Sequence, residues 1–240
     1  MRVLEQLEPQ GVFRFFEELC AIPHGSRNCQ AASDWCVAFA RERGLEHYQD
    51  EAGNVILIQE ATPGYEAADP ILIQGHLDMV CEKEPGCTKD MEKEGLDLYV
   101  EDGFVRARGT TLGGDDGIAV AMALAILDDR TIPHPRLEVV FTTEEEIGMM
   151  GAVALDASPL RGRKLLNLDS EAEGVFTVSC AGGSMARCTL PVTRTAFAGS
   201  ALEVRVRGLM GGHSGTEIHK GRANACMVLG RVLQAMGAET

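Results

Sequence analysis

Three apolar runs in this chain end in side chains that can hold a cation. "ILIQ" (71–74) leads to His76 and Asp78, "LEVVFTT" (137–143) to Glu144, Glu145 and Glu146, and "KLLNL" (164–168) to Asp169. A fourth group, Asp115 and Asp116, stands in "TTLGGDDG" just ahead of an alanine-rich run. Each alone says little. An H-x-D recurs by chance, a triple glutamate is favoured at helix starts by the dipole, and "GGDDG" also suits a tight turn. Their joint placement says more, because ligands of open α/β sheets bind beyond the carboxyl ends of the strands. Scattered surface charge gives no reason for four acidic groups at such positions.

The donor types narrow the chemistry. An all-oxygen set suits calcium or magnesium, and a cysteine-rich set suits a structural zinc. Carboxylates with an imidazole suit catalytic zinc, manganese or cobalt, often as a pair held by a bridging carboxylate. "DDGIAVAMALAI" lacks the alternating acids and closing Glu of a helix–loop–helix calcium site. No G-x-x-x-x-G-K-[ST] phosphate loop is present. Of two serine candidates, "GGHSGT" (211–216) lacks the last glycine of a nucleophile elbow, and "AGGSMA" (181–186) follows the wrong context.

Elements of regular structure must position these groups. Helical spacing is read over 11–22, 29–44 and 117–129, the last too long and alanine-rich for a strand. Strands are read at 54–59, 71–75, 104–109, 137–143, 164–169 and 174–180. Their alternation implies an α/β sheet with helices on both faces. Glycines, a proline and small polar residues interrupt the pattern over 180–200, before a strand at 201–208 and a helix at 223–236. One strand and one helix cannot bury a core. Residues 1–183 are therefore expected to form the main, catalytic domain, and 184–240 to begin a second domain cut off at Thr240.

Bulk composition excludes several classes. The 240 residues are 45% hydrophobic and 24% charged, an ordinary globular balance. A net charge of -14 opposes binding to nucleic acid or an anionic membrane surface. The longest apolar stretch, 118–127, is half of what a membrane span requires. "MRVLEQLEPQ" has acids and a proline where a secretory leader needs an apolar core. The eight cysteines form no C-x-x-C pair. A cytoplasmic protein is expected, with reduced thiols that mostly fill the core.

The motifs "IPHGS" (22–26), "GHLDMV" (75–80), "ARGTTLGGDDGI" (107–118), "TTEEEIGMMGA" (142–152), "NLDSEAEG" (167–174), "CAGG" (180–183) and "GGHSGTEIH" (211–219) occur in that order. From about residue 5 to its end, the chain resembles the N-terminal half of the aminoacyl-histidine dipeptidases, the peptidase D family. These are relatives of carnosinases within the acetylornithine-deacetylase superfamily. The resemblance implies a zinc-peptidase-like α/β/α sandwich with a mixed, mostly parallel sheet, followed by the start of a smaller α+β lid. It also implies two zinc ions, with manganese or cobalt as substitutes, a dipeptide substrate and a homodimer formed through the lid.

By the same resemblance, His76 binds one zinc and Asp78 holds its imidazole from behind. Asp115 bridges both ions, Asp169 completes the first site and Glu146 serves the second. Glu145 is the general base, taking a proton from the attacking water. His213, from the lid and often from the partner subunit, steadies the substrate carbonyl. The Asp115–Asp116 peptide is expected to be cis, with Asp116 where relatives often have Asn. Glu144 receives no role and is read as a solvated acid. His24, His47, His134 and His219 match no ligand position. Members of the family are longer than this chain and supply a further histidine to the second metal. The activity implied is hydrolysis of Xaa-His or broader unblocked dipeptides. Removal of an N-acyl group from amino acids, or metal binding without catalysis, are the alternatives.

Overall fold

A computed structural model describes residues 2–170, 172–180, 182, 184, 186–212 and 217–237. Along the chain run α1 (Gln10–Cys20), α2 (Gln30–Arg43), β1 (Glu46–Gln49), β2 (Val55–Gln59), β3 (Ile71–His76), β4 (Leu98–Glu101) and β5 (Phe104–Ala107). Then come α3 (Gly114–Asp128), β6 (Leu137–Thr142), α4 (Met150–Ala154), β7 (Lys164–Asn167) and α5 (Ala225–Ala235). The chain divides into two compact units, Met1–Cys180 and Ala181–Thr240.

A mixed sheet in the order β1-β2-β6-β3-β7 forms the centre of the first unit. β6, β3 and β7 are parallel, while β2 and β1 add antiparallel strands on one side. Every residue of β6 is buried, as expected of a parallel strand covered on both faces. The two-residue period sorts the side chains. Val55, Leu57, Ile73, Val139 and Phe141 share one core with α1, α2 and α3, whereas Ile56, Ile58, Leu72 and Val140 face Leu155 and Leu160. Burying each such Leu, Ile or Phe stabilises the fold by about 1.5–3 kcal/mol.

The alanine-rich α3 packs against both α1 and β3, with Ala119, Val120, Ala121, Ala123, Leu124 and Leu127 buried. Small side chains let it lie close to the sheet. α2 ends where Gly44 takes a left-handed φ of 67°, after Arg41 and Arg43 in its last turn, which complement the helix dipole. Glu138 is fully buried on the second sheet face. Its carboxylate accepts from Arg136 Nε at 2.7 Å, the Arg161 N–H at 2.9 Å and the Gly162 N–H at 2.9 Å. These bonds tie β6 to the segment that enters β7. Burial alone would raise the Glu138 pKa, but these donors hold it below the ordinary 4.5.

Several expectations need correction. Residues 174–180 and 201–208 form no strand. Phe176 and Val178 remain 90% and 96% exposed. A β-rich composition becomes a strand only where a neighbour accepts its hydrogen bonds, and none is found among the described residues. β1 (EHYQ) and β4 (LYVE) are further strands that the sequence pattern does not mark, each only four residues long and β1 polar as well. Cys20, Cys29 and Cys36 are buried, but Cys81, Cys180, Cys188 and Cys226 are exposed, so the thiols do not mostly fill the core. In the second unit α5 forms as read, with Asn224 Oδ1 accepting from the Met227 N–H at 3.0 Å. Among the described residues, no helix is long and apolar enough to cross a membrane.

Candidate metal centre

Strand register brings the acidic groups together. His76 stands opposite Thr142, and pairing continues one residue further as the Leu77 N–H donates to Thr142 O at 2.8 Å. On the other side Gln74 pairs with Asn167, and the Leu168 N–H donates to Gln74 O at 3.2 Å. The chain after β3, the Glu144–Glu146 turn after β6 and Asp169 after β7 therefore leave one rim of the sheet. The start of α3 delivers Asp115 and Asp116 to that rim, through a cis Asp115–Asp116 peptide. Gly75 makes this approach possible: a Cβ there would lie 2.7 Å from Asp116 Oδ2 and 2.9 Å from Ala119 Cβ.

His76 is the centre of the cluster. Its Nε2 lies 3.0 Å from Asp115 Oδ1, 3.9 Å from Glu145 Oε2 and 3.9 Å from Asp169 Oδ2. One ligand atom each from His76, Asp115 and Glu146 fall within 4.8 Å of one another. On the far side of the ring, Nδ1 lies 2.9 Å from the Asp78 carbonyl oxygen and 3.5 Å from Asp78 Oδ1. A proton held at Nδ1 leaves the Nε2 lone pair directed at the acids, the tautomer a metal ligand needs.

Asp78 does more than hold the imidazole. Its buried carboxylate accepts from Ser26 Oγ at 2.8 Å, the Glu145 N–H at 2.9 Å and the Glu146 N–H at 3.2 Å. Burial pushes its pKa up, but the bond with His76 and these donors outweigh that and leave it lowered. Asp116 is also buried, and its Oδ2 accepts from the His76 N–H at 3.1 Å. Both ends of His76, backbone and ring, are thus fixed.

The electrostatics are those of acids gathered around too little positive charge. Burial first, then repulsion from neighbouring acids, raises the pKa of Glu145 and Glu146. Burial, opposed by His76 and reinforced by Asp169, pushes Asp116 up to about 7. Burial opposes a proton on His76, yet the Asp78 bond and the charges of Asp116, Asp78 and Asp115 push its pKa up to about 10. A divalent cation would neutralise this excess charge and displace the imidazole proton. The mixed nitrogen and oxygen donors fit zinc, manganese or cobalt.

Glu144 is not a free solvated acid. It is half-buried, and its Oε1 accepts the Arg27 N–H at 2.6 Å. His213 lies outside the described residues. The other histidines bond to nearby carbonyls or face solvent: Nδ1 of His24 lies 2.6 Å from Ile22 O, that of His47 3.0 Å from Leu45 O and that of His134 2.7 Å from Pro135 O, while His219 is exposed. Residue-type reasoning missed Ser26, although "IPHGS" marked its segment.

The family description "Peptidase family M20/M25/M40" matches residues 72–192, the stretch that carries all the acids above. Over 241 aligned positions the chain is 39% identical to the cytosol non-specific dipeptidase of Escherichia coli, covering 100% of this chain and 50% of that protein. The crystal structure of aminoacylhistidine dipeptidase from Vibrio alginolyticus superposes with a TM-score of 0.74 at 37% identity, over 96% of this chain and 47% of that one. A tripeptidase from Staphylococcus aureus gives a TM-score of 0.57 at 25% identity, over 68% of this chain and 44% of that one. The chain thus spans about half the length of these relatives. With its α/β sandwich and the acidic rim between β3 and β7, it belongs to peptidase family M20/M25/M40.

Proposed function

We propose that this chain carries the metal-binding and proton-transfer residues of a zinc-dependent dipeptidase. The observation that carries this reading is the convergence of His76, Asp115, Glu145, Glu146 and Asp169, from four separate segments, around one imidazole nitrogen. The peptide-cleaving relatives supply the substrate class.

In this reading His76 and Asp169 would hold one divalent ion, Glu146 would serve a second, and Asp115 would be shared by both. The ions would lower the pKa of water toward ~7 and polarise the scissile carbonyl. Glu145, whose Oε2 stands 3.9 Å from His76 Nε2 at the edge of the cluster, takes the proton of the attacking water and passes it to the leaving amine. Asp78 and Asp116 hold His76 so that its Nε2 stays directed at the site. His213 steadies the substrate carbonyl, from a lid that begins near residue 184 and pairs two subunits. The substrate is an unblocked dipeptide, Xaa-His or broader. Two zinc ions and the full activity belong to a chain of the relatives' length, acting in the cytoplasm.

A substrate panel tests this proposal. A zinc-loaded chain of the relatives' length should release amino acids from unblocked dipeptides and leave N-acetyl amino acids intact. Cleavage of acetylated amino acids without dipeptide hydrolysis would make it a deacylase. Zinc binding with neither activity would leave metal binding alone.

A further inference from the structure

The mechanism above leaves Glu144 unused, although it is the first of three consecutive acids. Its backbone takes φ +58°, and Arg27, whose N–H it accepts, takes φ +71°. Both lie in the left-handed region, which residues other than glycine rarely adopt. The bond therefore joins two segments that each hold an uncommon conformation at the same point.

The loop that carries Arg27 is attached to the site on its other side as well. The Met79 N–H donates to His24 O at 3.2 Å, the Ser26 N–H to Met79 O at 3.3 Å, and Ser26 Oγ to Asp78 Oδ2 at 2.8 Å. Asp78 in turn accepts from the N–H groups of Glu145 and Glu146. The contacts close a ring: Glu144 to Arg27, Ser26 to Asp78, and Asp78 back to the two residues after Glu144. Each of the three segments is held by the other two.

We infer that Glu144 is a positioning residue whose carboxylate closes this ring, holding Ser26 against Asp78 and so setting His76, Glu145 and Glu146 for the metal. The inference rests on the metal reading proposed above. Hydrogen-bond acceptance at Arg27 is what matters, and the charge of Glu144 is secondary. Glutamine keeps the acceptor and loses the charge. Alanine loses both, and aspartate keeps the charge but is too short to reach.

The test uses this chain without metal, titrated with zinc against a competing chelator, and follows exchange of the Arg27 amide by NMR. Glu144→Ala and Glu144→Asp should release the Arg27 amide to fast exchange and weaken zinc binding by roughly tenfold or more, the range for residues that orient metal ligands. Glu144→Gln should keep both near wild type. Ser26→Ala combined with Glu144→Ala should cost less than the product of the single losses, since both break one ring. If Glu144→Ala does not fold, Glu144→Asp carries the same comparison. Unchanged zinc affinity with a released Arg27 amide, or a Glu144→Gln variant as weak as Glu144→Ala, overturns the inference. Failure of the wild-type chain to bind zinc overturns the metal reading itself, and this role of Glu144 with it.

Discussion

The carboxylate of Asp78 accepts the backbone N–H of Glu145 at 2.9 Å, so the residue two places after the histidine fixes the acid proposed as base. The same carboxylate takes the Glu146 N–H and the Ser26 hydroxyl. Asp78→Ala removes all three bonds at once. We predict a loss of zinc affinity of about 10–100-fold, with Asp78→Asn in between because one acceptor oxygen remains. Chelator competition on the purified chain measures both.

Glu145 and Glu146 are adjacent, yet their substitutions should differ. Glu145→Gln should leave zinc bound and abolish turnover in a chain of the relatives' length. Glu146→Gln should lower the amount of metal held. Metal analysis alongside dipeptide assays separates them, and equal metal loss in both variants would contradict the roles assigned.

For this chain by itself, zinc titration should reach about one tightly held ion, a catalytic zinc typically having three protein ligands. His76, Asp115 and Glu146 meet within 4.8 Å, and Asp169 Oδ2 stands 3.9 Å from the imidazole. One ion can draw on this set. A second would share Asp115 and compete for the remaining acids. Two equally tight sites would show that the ligand sets are misassigned or that a second copy of the chain supplies a donor.

Glu138 offers a pH test independent of the metal. Its pKa is held below the ordinary 4.5 in the fold, because Arg136 and two N–H groups outweigh the effect of burial. A lowered carboxylate contributes stability that is fully present above its unfolded pKa and fades as pH falls through the folded value. Glu138→Ala should therefore cost on the order of 3 kcal/mol near neutrality. The gap between the two melting curves should narrow as pH falls below 4.5.

Gly75→Ala should lower stability by about 1–3 kcal/mol through overpacking and weaken zinc binding, since the new methyl would press on the Asp116 carboxylate that holds the His76 N–H. Melting temperature and zinc titration report the two effects. A variant with unaltered affinity would show that Asp116 can move without disturbing the imidazole.

Much of this was legible in the sequence, for identifiable reasons. β2, β3 and β6 announce themselves as apolar runs because both faces of each are covered, and α3 does so because a helix against a sheet needs small residues. The acids were legible because strand endings in a parallel sheet share a rim. What could not be read were roles that depend on backbone groups. Besides the Ser26 hydroxyl and the His76 ring, Asp78 accepts from the N–H groups of Glu145 and Glu146, and Glu144 accepts from that of Arg27. Every residue but proline possesses such a group, and no residue type reveals its partner. Ser26 and Arg27 lie far from those acids in the chain, and tertiary pairing such as the bridge between Gly25 and Met79 brings them alongside. The failed strands at 174–180 and 201–208 teach the complementary lesson: composition supplies a preference, and pairing supplies the strand.

The order of the metal-facing residues along the chain has a consequence for how an ion and the fold depend on each other. His76, Asp115, Glu146 and Asp169 are separated by whole helices and strands, unlike the closely spaced ligands of a zinc finger. On the proposed ligand set no short peptide from this chain would assemble the site, so an ion would be captured only once β3, β6 and β7 are aligned. Zinc would then act as a late lock on the completed topology, stabilising it by RT ln(1 + [L]/Kd). Stripping the ion should register as a drop in the melting temperature of the whole first unit, and metal occupancy would report on the register of strands far from the ion itself.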